Sequence, residues 1–300
     1  MPSLKTIRKR IASTKATQKI TRAMKMVAGA KLTRAQQRIV AMRPYAVKTA
    51  EVLQSVAKTM GSSSDSGTEP LHPLLAARPE KKALVLVLSA DRGLCGAFNT
   101  NVNKTAERVW REKQDAGAEV MFVTLGRKGR EYLARRGAEN AHDFPRVYEG
   151  LDLDKARVVA RWVQARFEKG EVDSVSLVYN EFKSAITQKV TLERLLPLAG
   201  GGAGDAPKVE ALGPSDFIYE PNQRALLERL MPMYVEITIY RALLESQASF
   251  YGAQMTAMDS ATRNAKEMIA RLTLIYNRAR QAAITKELME IIGGAEALKG

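Results

Sequence analysis

From Tyr240 onward, apolar residues recur every three or four positions, at Tyr240, Leu244, Ala248, Tyr251, Met255, Met258, Ala261, Ala265, Met268, Leu272, Ile275 and Ala279. That spacing predicts a helix with one apolar stripe. Apart from a three-three irregularity at Met258 to Ala261 it favours a left-handed coiled-coil seam. A helix from Met233 to Ile292 would span roughly 90 Å at about 1.5 Å per residue. No module built from the rest of the chain can cover such a length, so the helix must project and needs a partner along its seam.

The chain supplies that partner at its other end. Ser3 is a candidate N-cap, and Leu4, Ile7 and Ile11 open an apolar spacing that continues through Ala23, Met24, Val27, Ala30, Ile39, Met42, Val52, Leu53 and Val56. Gly29 and Pro44 weaken this long helix locally, and the run GSSSDSGTE at 61–69 ends it with linker composition. The two terminal helices are expected to pair antiparallel, as a rod. Their seam is rich in Ala and Met, which permits close approach but specifies packing weakly. Pro232 should kink or restart the C-terminal helix.

Between the helices the texture alternates. ALVLVL at 83–88, EVMFVTL at 119–125 and SVSLVYN at 174–180 read as strands; 98–115, 127–136 and 154–169 read as helices. QKVTLERLLPL at 188–198 reads as an edge strand, and AGGGAGDAP at 199–207 as a surface loop. The alternation predicts a mostly parallel, Rossmann-like sheet covered by helices. The expected division is a shaft helix over 1–60, a linker over 61–80, an α/β domain over 81–218 and a second shaft helix over 219–300.

Charge is concentrated at one end. Residues 1–50 hold thirteen Lys and Arg and no acid, whereas 51–221 balance at twenty-four each and 222–300 carry ten bases against eight acids. A basic helix suits an acidic surface, whether nucleic acid, anionic lipid or an acidic protein segment. Aromatic side chains are absent from the basic helix before Tyr45, which speaks against single-strand stacking; a duplex-binding helical protein remains the alternative reading. MPSLKTIRKR is followed by no apolar signal segment, and no run approaches the roughly 20 apolar residues of a bilayer span. Membrane attachment is expected only through partners.

Catalytic constellations are poorly supported. SADRGLCGAFN at 89–99 lies between a strand and a helix, where a phosphate loop would sit, yet it has neither Walker nor G-x-G-x-x-G spacing. A tight structural turn is the better reading. His72 and His142 are the only histidines and Cys95 the only cysteine, so neither a metal centre, a triad nor an intrachain disulfide is expected. No cofactor is expected. The C-terminal stretch instead joins a polar cluster, Arg280, Gln281 and Thr285, to an apolar end, Leu288, Met289, Ile291 and Ile292. Such an end either enters a partner socket or folds back on the chain's own body.

Several motifs in order, TQKITRAMKMVAGAKL, LSADRGLCGAFN, VYNEFKSAITQ, MTAMDSATRNA and YNRARQAAITKELMEII, make the chain resemble the gamma-subunit family of F-type ATP synthases over essentially its whole length. The resemblance implies a non-catalytic rotor shaft. Its helix pair would insert through a ring of three alpha and three beta subunits, with the α/β domain beside the epsilon subunit and the c-subunit ring. It implies beta-subunit contacts at Met24, Lys25, Gln254, Arg280, Gln281 and Thr285, a bearing tip at Leu288, Met289, Ile291 and Ile292, and a c-ring and epsilon foot at Tyr219 and Glu220. Gln254 departs from the Arg usual in the family; Gln can hydrogen-bond but brings no charge, so the resemblance does not carry an ionic contact with a beta subunit onto this position. The single Cys leaves no room for the dithiol insert of the chloroplast form. The lack of a transit peptide points to a bacterial protein, peripheral on the cytoplasmic face of the plasma membrane.

Overall fold

The computed structural model describes residues 3–63, 72–197 and 223–297. The chain divides into two compact units, one formed by Met1–Gly29 with Gln254–Gly300 and the other by Ala30–Ala253. Two long helices, α1 (Leu4–Ser63) and α5 (Gln223–Ala297), contribute to both. Ser3 does cap α1, its Oγ accepting from Thr6 N at 3.3 Å. Pro44 and Pro232 lie inside continuous helix, contrary to the expected restart at Pro232. Around Pro232, Met231 and Val235 are buried, and Gln164 Nε2 donates to Pro232 O at 2.9 Å, which ties this stretch of α5 to α4 (Leu153–Glu168). The linker expected at 61–69 begins inside α1, and its remainder lies outside the described residues, as does the loop at 199–207.

The larger unit is a doubly wound sheet in the order β3-β2-β1-β4-β5. Its elements are β1 (Lys82–Leu88), α2 (Phe98–Asp115), β2 (Glu119–Leu125), α3 (Arg127–Ala134), β3 (Asn140–Phe144), α4 (Leu153–Glu168), β4 (Ser174–Phe182) and β5 (Gln188–Leu196). All pairings are parallel except β4 with β5, which places β5 at an edge as expected. The central strand is buried on both faces, which is why it reads as an unbroken apolar run. Leu84, Leu86 and Leu88 face a layer containing Val159, Val163 and Phe167 of α4, Val235 and Ile239 of α5, and Ile39 and Met42 of α1. Ala83, Val85 and Val87 face Val102, Ala106 and Val109 of α2.

Strand β3, NAHDF, carries too few apolar residues to be read as a strand from its letters. Ala141 and Phe144 pack on the core, and polar contacts add to them: Thr124 Oγ1 donates to Asp143 Oδ1 at 2.9 Å, and Arg130 Nη1 lies 3.0 Å from Asp143 Oδ2. His142 stacks on Trp162 with ring centroids 5.1 Å apart.

Candidate functional site

In the smaller unit the helices form an antiparallel seam. As α1 numbering rises its α5 partner falls: Thr14 Oγ1 lies 4.0 Å from Met268 Sδ, Thr21 Oγ1 2.8 Å from Thr262 Oγ1, and Lys25 Nζ 2.5 Å from Asp259 Oδ1. The inward positions on α1 are Leu4, Ile7, Ile11, Thr14, Gln18, Thr21, Lys25 and Ala28, an unbroken heptad alternation of three and four. On α5 they are Met255, Met258, Thr262, Ala265, Ile269, Leu272, Tyr276 and Ala279. Thr262 removes the irregularity expected at Met258 to Ala261. Ala23, Val27, Met268 and Ile275, expected in the seam, are exposed. The apolar letters misled because a seam of small side chains admits hydroxyls, provided each finds a partner.

Met24 and Gln254 are half-buried, and Lys25 is engaged by Asp259. Arg263 Nη2 lies 3.3 Å from the same carboxylate, and the Lys25 hydrogen bond leads the causes that hold Asp259 below the usual carboxylate range. Beside them Ile20, Met26 and Val27 present apolar side chains to solvent. Thr14, Ser13 and Arg10 line a groove of about 420 Å³ with Met268, Arg271, Leu272 and Ile275. This groove is open to solvent along the side of the helix pair.

Extending the observed register brings Leu4 beside residues 279–280, beyond which α5 runs past the described residues of α1 for about 25 Å at 1.5 Å per residue. Every residue from 284 to 295 is exposed. Within this unit the apolar end is bare, at 54% for Leu288, 64% for Met289, 71% for Ile291 and 53% for Ile292. Ile284, which sequence reading passed over, joins Leu288 and Ile291 at spacings of four and three and so lies on their face. Arg280, Gln281 and Thr285 are exposed at the root of this segment, with Thr285 Oγ1 donating to Gln281 O at 3.0 Å. Gln281 and Thr285 stand one turn apart. Together these residues offer a polar collar and an apolar end. Tyr219 and Glu220 lie outside the described residues.

The larger unit shows what became of the crevice where a doubly wound sheet ordinarily takes a ligand, at the reversal of strand order between β1 and β4. Here α5 occupies it. Phe98 and Phe250 meet edge to face at 5.7 Å, Ala90, Cys95 and Ala253 pack with them, and Ser249 Oγ donates to Asn180 O at 3.0 Å. The loop after β1 is spent on its own backbone: Asp91 Oδ1 accepts from Arg127 N and Arg146 N, Asn99 Oδ1 from Ala90 N, and Ser89 Oγ from Gly129 N. Cys95 is buried, and burial pushes its thiol up rather than toward a reactive thiolate. His72 Nδ1 accepts from Leu74 N at 3.1 Å at the start of a short 3-10 turn, and burial lowers its pKa. Among the described residues, no cluster of three His, Cys, Asp or Glu side chains is arranged to hold a metal, and no helix is long and apolar enough to cross a membrane.

A charged cluster lies between β4, β5 and α5. Arg241 Nη2 reaches Glu193 Oε1 at 2.5 Å, and Tyr179 OH donates to Glu193 Oε2 at 2.9 Å. Glu245 Oε2 is buried without a hydrogen-bond partner, and desolvation pushes its carboxyl up to about 7 despite the nearby Arg241.

Comparison with known proteins bears on the whole chain. The ATP synthase family profile matches residues 3–298. The ATP synthase gamma chain of Sorangium cellulosum is 56% identical over the full length of both chains, and that of Geobacter sp. strain M21 is 48% identical, again end to end. Among solved structures, the Euglena gracilis mitochondrial ATP synthase assembly of OSCP, F1 and c-ring contains a chain similar in fold, with a TM-score of 0.68 at 19% identity, covering 98% of this chain and 94% of that one. The central stalk and c-ring structure of the Tetrahymena thermophila mitochondrial enzyme gives 0.61 at 24% identity, covering 81% and 99% respectively.

Proposed function

The chain belongs to the ATP synthase gamma-chain family, and from that membership we infer that it is the central-stalk rotor subunit, turning with the c-subunit ring and coupling ion flow to ATP synthesis or hydrolysis on alpha and beta subunits. It is not itself catalytic; ATP is handled by its partners. The observation that carries the reading is the exposed segment 284–295, where Leu288, Met289, Ile291 and Ile292 leave an uncovered apolar end on α5. An exposed patch of this kind fits a socket. A bearing made by the three alpha and three beta subunits supplies one.

The same reading assigns roles to the remaining surface. Arg280, Gln281 and Thr285 would hydrogen-bond one beta subunit at a time, since a single collar cannot make equivalent contacts with three surrounding partners. Met24, Gln254 and the Lys25–Asp259 pair would meet a beta subunit lower on the helices. Tyr219 and Glu220 would form the foot toward the c-ring and the epsilon subunit. The working division is helix 1–60, linker 61–80, α/β domain 81–218 and helix 219–300. A contact made with only one of three otherwise equivalent subunits biases that subunit's conformation by its differential binding free energy, and turning the collar passes the bias on. The protein would sit peripherally on the cytoplasmic face of a bacterial inner membrane, held there by the complex.

The test is reconstitution. Alpha and beta subunits assembled with this chain, epsilon and the membrane sector should couple ATP hydrolysis to ion transport; leaving out the chain should abolish the coupling. Coupled transport without it would refute the assignment. A nucleic-acid-binding helix rests on charge alone. It would require duplex binding with a steep salt dependence by the assembled complex.

A further inference from the structure

In the unit formed by Met1–Gly29 and Gln254–Gly300, apolar packing does little to decide which residue faces which. Ala28, Ala265 and Ala279 are interchangeable small residues, Met255 and Met258 are adaptable ones, and Thr14, Gln18, Thr21 and Lys25 supply polar rather than apolar side chains to the α1 side of the seam. A seven-residue repeat of this kind fits itself again after sliding by one heptad. Such a slip would move the free tip relative to Leu4 by about 10 Å at 1.5 Å per residue.

Two polar contacts break the degeneracy. Thr262 Oγ1 and Thr21 Oγ1 lie 2.8 Å apart across a seam where Thr21 is buried; Thr21 donates to Gln18 O at 3.1 Å, and Thr262 Oγ1 also lies 2.7 Å from Met258 O of its own helix. One turn along, Lys25 Nζ meets Asp259 Oδ1 at 2.5 Å. Sliding one heptad one way would set Lys25 against Lys266 and Thr21 against Ile269. Sliding it the other way would set Thr21 against Met255. Either slip sets an apolar side chain against the Thr21 hydroxyl in place of Thr262, leaving it only the bond to Gln18 O, and the first also opposes two ammonium groups. A polar residue at a seam position fixes register in helix pairs for this reason, at some cost in stability.

We infer that Thr21, Thr262, Lys25 and Asp259 are positioning residues that lock the register of the α1–α5 pair and so set how far the segment 284–295 projects past Leu4. The consequence for coupling rests on the rotor reading above, because the projection matters only if partners grip it. The register itself does not depend on that reading.

Two cysteine reporters separate the registers in the assembled complex. Thr14→Cys with Met268→Cys reports the native one, and Thr14→Cys with Ile275→Cys reports the slipped one. Lys25→Glu places two carboxylates together at native register and an ion pair with Lys266 at the slipped one. It should therefore shift disulfide yield toward the slipped reporter by about fivefold, the upper range for an exposed ion pair. The number of ions moved per ATP should fall with it. Asp259→Lys alone should weaken the native reporter, and Lys25→Glu combined with Asp259→Lys should restore both readouts. Thr21→Val with Thr262→Val, which preserves volume, should loosen register without unfolding the pair. The inference is overturned if the single reversals leave the reporters unchanged, or if they impair transport and the charge swap rescues neither readout. An unsubstituted complex without coupled transport would count against the rotor reading and leave the disulfide result to decide the register.

Discussion

Replacing Leu288 and Ile291 together by Ser tests the bare tip directly. These side chains are 54% and 71% exposed in the free chain, together the equivalent of about one and a quarter fully exposed apolar residues. At about 1.5–3 kcal/mol for full burial of each such side chain, a socket that covers both would gain about 2–4 kcal/mol from them. Orienting and ordering costs already fall on the unsubstituted chain, so most of this difference should appear in the variant as faster dissociation. Even half of the lower figure weakens retention about fivefold. Folding should be indifferent, because substitutions at exposed sites away from caps and networks usually stay within about 0.5 kcal/mol. The assay is the rate at which the chain leaves an assembled alpha–beta complex, measured by dilution, with circular dichroism and urea unfolding of the free chain as control. Dissociation at the unsubstituted rate would refute the socket. Loss of stability in the free chain would show instead that the tip packs on its own body.

Burial of Glu245 gives a pH prediction. Its carboxyl lies at about 7 in the folded chain against an ordinary 4.5, so the folded state binds the proton more tightly and stability falls as pH rises from about 4.5 to about 7. Glu245→Gln should remove that part of the slope and stabilise the chain at pH 8 by about 1–3 kcal/mol, read as the difference from the unsubstituted chain in urea unfolding at pH 5 and pH 8; an equal slope in both proteins would refute it. Gly126→Ala should destabilise the sheet-bearing unit by about 3 kcal/mol or more, because Gly126 has φ 108° and a Cβ there would stand 2.2 Å from Ser89 O. A thermal midpoint unchanged from the parent would contradict that. Phe250→Ala should cost about 3–5 kcal/mol by emptying the crevice against Phe98, and a loss below 1 kcal/mol in urea unfolding would mean that α5 does not plug it.

The elements that sequence reading found are those whose packing is written in one residue class. β1 is buried on both faces and reads as ALVLVL; Phe98–Asp115 and Glu119–Leu125 have the bounds their periodicity predicts. β3 was illegible because only Ala141 and Phe144 of its five residues pack on the core, and side-chain bonds to Asp143 and ring stacking on His142 supply the rest. The heptad of the helix pair was legible in period but not in membership. Thr21, Lys25 and Thr262 became seam residues only once their cross-helix partners were seen, a pairing 234 to 241 residues apart that no local pattern reports. The polar collar and apolar tip could be read because an exposed apolar run at a helix end is anomalous by itself. That α5 fills the sheet's crevice could not, since Phe250 and Ala253 look like any other stripe residues until the sheet order is known.

As a rotor, this chain must turn inside its partners. A fluorescent or bead probe fixed to the α/β unit of the chain, in alpha–beta complexes anchored to a surface, measures that directly. Unidirectional stepping that starts with ATP and stops when it is exhausted is the predicted result. ATP hydrolysis at the full rate with the probe stationary would contradict it.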